Sequence, residues 1–196
     1  MPCLVKYRHL PNTRSVIEHI FKSGKREVTI LDVAGGNGDL SERIIKDTQA
    51  RFPELAIAYR LVDFSQGDID LANKRFGTLK HVTASATHKE NMSVYHFDAE
   101  QMKLDLGLPQ EGVDIVINSG GLLNGGVARN VEEARSYNRM FANLIRPGGF
   151  GIYSGLTDLY INVTDHDEND MKILNRYDEY SGRQMHVVQR PESQDL

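Results

Sequence analysis

The stretch Val28-Thr29-Ile30-Leu31-Asp32-Val33-Ala34-Gly35-Gly36-Asn37-Gly38-Asp39-Leu40 constrains the fold more than any other part of the chain. Val28 to Val33 is apolar and β-branched apart from one carboxylate, Asp32, which is how a strand buried on both faces reads. Gly35, Gly36 and Gly38 then replace side chains with bare backbone, which permits a sharp turn and lets a ligand approach main-chain N–H groups closely. Leu40, Ile44 and Ile45 follow on one face of a helix. A buried strand, a glycine turn and a helix N-terminus in succession make a nucleotide-binding crevice in an open α/β sheet. A tight βα connection without a ligand is the competing reading of the glycines taken alone.

The spacing narrows the choice. A dinucleotide fingerprint starting at Gly36 needs a third glycine at position 41, where Ser41 stands. A phosphate-cradling P-loop needs Gly-Lys-Ser/Thr, and no lysine follows Gly38. What remains is Asp32 at a strand end, then Ala34, Gly36 and Gly38 as small–x–Gly–x–Gly. A second strand, Ala56 to Asp63, also ends in a carboxylate, placed to accept ribose hydroxyls beside the glycine turn. Asp63 could instead cap the helix carrying Ile69, Ala72 and Phe76, but Ser65 can cap it unaided.

Elsewhere the chain reads as follows. Pro11-Asn12-Thr13 punctuates before a helix with Val16, Ile17, Ile20 and Phe21 on one face, closed at Gly24. Tyr7, Arg8 and His9 precede it and read as solvated residues. The helix after the glycine turn stops at Phe52-Pro53, and Gly77 closes the next. Leu79 to Met92 is polar and irregular. A third strand is expected at Ser93 to Phe97, ending at Asp98-Ala99-Glu100, and a fourth at Val113 to Asn118, opening into the glycine-rich Ser119–Gly126 loop. A helix with Val131, Ala134, Phe141 and Leu144 leads through Arg146-Pro147-Gly148-Gly149 into a fifth strand, Phe150 to Tyr153. Leu156, Leu159, Tyr160 and Val163 suit a short helix; Ile173–Tyr177 and Gln184–Arg190 suit a hairpin joined through Ser181-Gly182.

Taken together, the acidic strand ends Asp32, Asp63 and Asp98, the glycine turn and the Leu-Ile-Arg-Pro-Gly-Gly turn resemble the class I S-adenosylmethionine-dependent methyltransferases over about Val16 to Arg190. Ala34 replaces the first glycine of that family's commonest pattern. The resemblance implies a single α/β domain over 1–196, with one doubly wound, Rossmann-like sheet of seven strands, mostly parallel and ending in an antiparallel hairpin. It implies S-adenosylmethionine as cofactor, held by Asp32, Ala34, Gly35, Gly36, Gly38, Asp63, Phe64, Asp98, Ala99 and Asn118. Asp98 would bind the adenine amino group and the Ala99 N–H a ring nitrogen; a turn-initiating aspartate is the alternative. The methyl group would then point toward Asn118, Ser119, Asn124, Tyr153, Ser154 and Asp158, with Asn118, Ser119, Tyr153 and Asp158 the candidates for orienting or deprotonating a substrate. Asn118-Ser119-Gly120-Gly121 stands where nucleobase amino methyltransferases carry Asn/Asp-Pro-Pro-Tyr, so a small-molecule acceptor is expected. A nicotinamide-dependent oxidoreductase on a related fold and a non-catalytic cofactor-binding module are the other classes left open.

Composition bounds the partners. A net charge of −4, with Lys22, Lys25 and Arg26 too few to form a basic face, argues against general nucleic-acid binding. Cys3 is the only cysteine, so neither a disulfide framework nor a cysteine zinc site is available. His81 and His88, and the acidic run Asp165–Asp170, read as loop residues rather than metal ligands. With no apolar window suited to a signal peptide or membrane span, a cytoplasmic setting is expected.

Overall fold

The computed structural model describes residues 5–80, 82–89, 98–119, 131–156, 171–179 and 183–192. In chain order the elements are α1 (Val5–Lys22), β1 (Glu27–Val33), α2 (Asp39–Arg51), β2 (Ala56–Asp63), α3 (Gln66–Phe76), β3 (Val82–His88), α4 (Ala99–Leu106), β4 (Val113–Ser119), α5 (Val131–Leu144), β5 (Ile145–Leu156), β6 (Lys172–Glu179) and β7 (Arg183–Gln189). They form one seven-stranded sheet in the order β3-β2-β1-β4-β5-β7-β6. β1 to β5 run parallel, while β7 is antiparallel to both β5 and β6.

Strand alternation divides the core in two. One cluster puts Ile30, Ile57, Tyr59, Leu61, Ile115, Ile117, Phe150 and Ile152 with Val16, Ile17 and Ile20 of α1, Ile44 of α2 and Ile69 of α3. The other puts Leu31, Val33, Val62, Val116 and Tyr153 with Met102 of α4 and Phe141 of α5. Because α1 feeds into the start of β1, its C-terminal end lies at the sheet edge where the strands begin, and its first turns lie at the opposite edge, where β1, β4 and β5 end. Arg14 grips Asp47 of α2 with two hydrogen bonds of 2.8 Å, fastening the two helices side by side.

Four sequence expectations are corrected. The third strand is Val82–His88, inside the stretch expected to be irregular; the expected Ser93–Phe97 lies outside the described residues. β3 is an edge strand, paired only to β2, and its residues are mostly half-buried, so Thr83, Ser85 and Thr87 replace the apolar run of an inner strand. α1 begins at Val5 and continues through Pro11, which is not a boundary. The packing of Val16, Ile17 and Ile20 outweighs the hydrogen bond that proline removes. β5 starts at Ile145 rather than Phe150. Its register with β4 jumps from Val113↔Ile145 to Ile115↔Phe150, so Arg146–Gly149 forms an irregularity within the strand, with Gly148 at φ 76°. Leu156 ends β5 instead of opening a helix. The remainder of that expected helix, the Gly120–Gly126 part of the loop, Ser181-Gly182, His81 and Asp165–Asp170 lie outside the described residues.

Candidate functional site

The glycine turn joins the end of β1 to the start of α2. Its backbone adopts positive φ at Ala34 (57°), Gly36 (58°) and Gly38 (73°), and Ala34 is the one non-glycine residue with positive φ among the described residues. The three glycines have different reasons to be glycine. A Cβ on Gly35 would lie 2.7 Å from Leu61 and 2.9 Å from the Asp32 carboxyl carbon, so this glycine is packed against the sheet. A Cβ on Gly38 would lie 3.1 Å from the Ala72 Cβ, so this one lets α2 approach α3. A Cβ on Gly36 would meet nothing within 4 Å. Gly36 alone presents its backbone to open space.

Two carboxylates hold the turn. Asp63, at the end of β2 and 4 % exposed, accepts the Gly36 N–H on Oδ2 and the Ser65 N–H on Oδ1, both at 2.9 Å. Each of its oxygens keeps a second lone pair for a ligand. Ser65 caps α3 with its own hydroxyl, which accepts the Asp68 N–H. Asp32, fully buried, accepts from the Ser41 hydroxyl at 2.7 Å and from the Tyr59 hydroxyl at 3.0 Å, both on Oδ2. Burial, and then the neighbouring Asp32 charge, raise the Tyr59 phenol well above its ordinary value, so it stays a protonated donor. Ser41 therefore has a definite use where a dinucleotide fingerprint would place glycine. Ser41 and Tyr59 are the supports of Asp32 that the sequence reading missed; no local pattern shows two hydroxyls from different elements meeting on one carboxylate.

Above the turn lies a cavity of about 290 Å³ lined by Asp32, Ala34, Gly35, Gly36, Asn37, Leu40, Asp68 and Ser119. α2 opens on it with Gly38 at the N-cap, which has no side chain to cap the helix, and the Asp39 N–H donates to Asn37 Oδ1 at 3.2 Å.

The expected site residues separate into three groups. Asp32, Ala34, Gly35, Gly36 and Ser119 share the cavity, with Gly38 and Asp63 bracing its floor. Phe64, beside Asp63, is 54 % exposed, and its carbonyl accepts from Nε2 of His88, the residue that ends β3 in register with Asp63. Asn118 and Tyr153 face the other side of the sheet. Asn118 Nδ2 donates to the Val33 carbonyl at 3.1 Å, and its buried Oδ1 has no partner among the described residues. Tyr153 packs on Phe141 at 5.3 Å between ring centroids, and its ring lies against the place a Gly151 side chain would fill; it is a core residue. Asp98 and Ala99 are not brought to the glycine turn. Asp98 caps α4, accepting from the N–H groups of Glu100 and Gln101, and with Ala99 it lines a separate cavity of about 360 Å³ beside Lys103, Pro147 and Arg190. Nine residues lie between His88, the end of β3, and Asp98, and those after Lys89, with the expected strand Ser93–Phe97, are outside the described residues. Asn124 and Asp158 lie outside the described residues.

Among the described residues, no group of three or more His, Cys, Asp and Glu side chains is arranged to hold a metal ion, and no helix is long and apolar enough to cross a membrane.

No protein-family model and no curated protein sequence matches this chain. Solved structures do. A TehB-like methyltransferase dependent on S-adenosylmethionine, from Corynebacterium glutamicum, superposes with a TM-score of 0.56 at 11 % identity, over 94 % of this chain and 99 % of that one. The S-adenosylmethionine-dependent methyltransferase of Methanosarcina mazei superposes with 0.54 at 10 % identity, over 86 % and 95 %. The CurJ carbon methyltransferase superposes with 0.57 at 12 % identity over 86 % of this chain, which spans only 50 % of that longer one. The chain has the fold of the class I S-adenosylmethionine-dependent methyltransferases.

Proposed function

We propose that this chain binds S-adenosylmethionine in the glycine-turn crevice and transfers its methyl group to a small molecule. The observation that carries the reading is the Gly36 backbone, held open toward the cavity by the Asp63 carboxylate at the end of β2. Asp32, Ala34, Gly35 and Gly36 form the binding floor, braced by Gly38 and Asp63, with Phe64 exposed beside it as an apolar surface for a flat base. When bound, the sulfonium would supply an activated methyl group to the acceptor's lone pair, with the electrons of the broken S–C bond staying on sulfur and any acceptor proton passing to water. The protein's share is then alignment, and proximity accounts for much of the rate in such displacements. Ser119, at the far wall of the cavity from Asp63, is the described residue placed to orient an acceptor.

Isothermal calorimetry with S-adenosylmethionine, S-adenosylhomocysteine and NAD tests the reading. Binding of the first two and not of NAD is expected; an isotherm for NAD alone overturns it. A cofactor-binding module without turnover is the second reading. Tight binding of S-adenosylmethionine with no S-adenosylhomocysteine formed on any metabolite pool would select it. The chain is proposed to act as one domain on a small-molecule acceptor, without general nucleic-acid binding and in the cytoplasm.

A further inference from the structure

His9, near the start of α1, is fully buried, and its Nε2 lies 3.1 Å from Oγ of Ser154, which is 1 % exposed. The bond joins residues 145 apart in sequence. Nδ1 of the same ring is buried with no partner among the described residues. Such a nitrogen is costly where an apolar side chain would pack as well, and it calls for an explanation. The placement supplies one. Ser154 pairs in register with Ser119, the residue that walls the glycine-turn cavity on the side away from Asp63. Paired residues of neighbouring parallel strands point to the same face, so the Ser154–His9 pair lies one strand beyond Ser119, about 4.8 Å on, while Asp32 shares that face in register with Ile117, two residues before Ser119. In open α/β sheets ligands lie over the carboxyl ends of the strands. With the adenosyl portion at Asp63 over β2, the reacting end of the ligand runs over β4 toward β5.

We propose that His9, held by Ser154, stands at the acceptor end of the crevice, and that its second ring nitrogen hydrogen-bonds the molecule that receives the methyl group. The inference rests on the methyl-transfer reading. Asn12, Thr13 and Met185, the residues bonded or paired nearest the couple, are uncharged: Thr13 donates to the His9 carbonyl, Asn12 to the Met185 sulfur, and Met185 pairs with Ser154. Burial pushes the imidazole down to about 3, so at neutral pH it is an uncharged hydrogen-bonding group, poorly matched to general-base work. Orientation of the acceptor is the role left to it.

The test uses the full chain labelled with ¹⁵N-histidine, titrated separately with S-adenosylmethionine and S-adenosylhomocysteine while binding is followed by calorimetry. His9→Gln identifies the His9 ring signals by their loss. The two ligands differ by one methyl group and one positive charge, so the His9 ring resonances should differ between the two complexes. His19, ten residues along the same helix and about 15 Å away, should give one signal in both. Binding of both ligands with identical His9 signals overturns the inference and leaves the methyl-transfer reading standing. Equal differences at His9 and His19 would mean that the whole helix moves, which also overturns it. Binding of neither ligand overturns the methyl-transfer reading and this inference with it.

Discussion

The Asp63 carboxylate accepts the Gly36 N–H at 2.9 Å, so the end of β2 holds the turn that follows β1 in shape. The same carboxylate takes the Ser65 N–H ahead of α3. One side chain thus sets both loops that border the crevice.

Asp63→Ala should therefore cost stability as well as cofactor affinity. Two backbone donors lose a charged acceptor, and each loss is worth about 1–3 kcal/mol. Asp63→Asn, which keeps one acceptor oxygen, should fall between the two proteins. Chemical denaturation and calorimetry on the same samples check this; an Asp63→Ala protein of unchanged stability would show that the turn holds its own shape.

The glycines should respond differently to alanine. Gly36→Ala puts its Cβ into open space and costs folding about 1 kcal/mol for the left-handed backbone, while S-adenosylmethionine binding falls sharply. Gly38→Ala adds contact with Ala72 to the same backbone cost, so it should lose more stability than Gly36→Ala. The comparison is read from melting temperatures without ligand, and a reversed order would contradict the assignment.

Ala34 at φ 57° sits where an L side chain is strained by about 1–2 kcal/mol. Ala34→Gly relieves that strain but loosens the unfolded chain by about 0.4–1 kcal/mol. The net expectation is a protein more stable by about 0.5–1 kcal/mol, measured by urea denaturation; destabilisation would mean that the Ala34 methyl group contributes packing that outweighs the strain.

Burial pushes His9 down to about 3 from an ordinary value of 6.5. Between those values the unfolded chain binds the proton and the folded one does not. Stability must fall as pH drops through that window, by at most about 1.4 kcal/mol per pH unit from this group. Asp47, held low by Arg14, and Glu42, held low by Lys46 and Arg75, lose stability in the same direction in any variant. They cancel in a comparison of wild type with His9→Gln, whose stability should fall less steeply from about pH 6 to pH 4. Parallel curves would show that His9 does not titrate in that window.

Much of the fold was legible because inner strands announce themselves. Val28–Val33, Ala56–Asp63 and Val113–Asn118 are buried on both faces and read as apolar runs, and the structure extends them by no more than one residue at an end. Val82–His88 was missed because a strand paired on one side only can carry threonine and serine, and the start of α1 because Pro11 looked like a boundary. In the site, the glycine turn was legible from residue type alone. The separation of Ser119 and Ser154 from Asn118 and Tyr153 follows from strand alternation, which the sequence reading did not apply when it gathered all four at one subsite. The support of Asp32 by Ser41 and Tyr59 was not legible, since it depends on a hydroxyl from the neighbouring strand meeting one from the following helix.

The Arg14–Asp47 grip has a mechanical consequence. α2 begins at the glycine turn and α1 begins near His9, so the two ends of the crevice are carried on separate levers that share one fulcrum about a turn and a half along α1 from His9 and two turns along α2 from its start. Loosening that fulcrum touches neither end directly. It would let them drift apart, so that cofactor and acceptor each bind nearly as before while the gap between them is no longer kept.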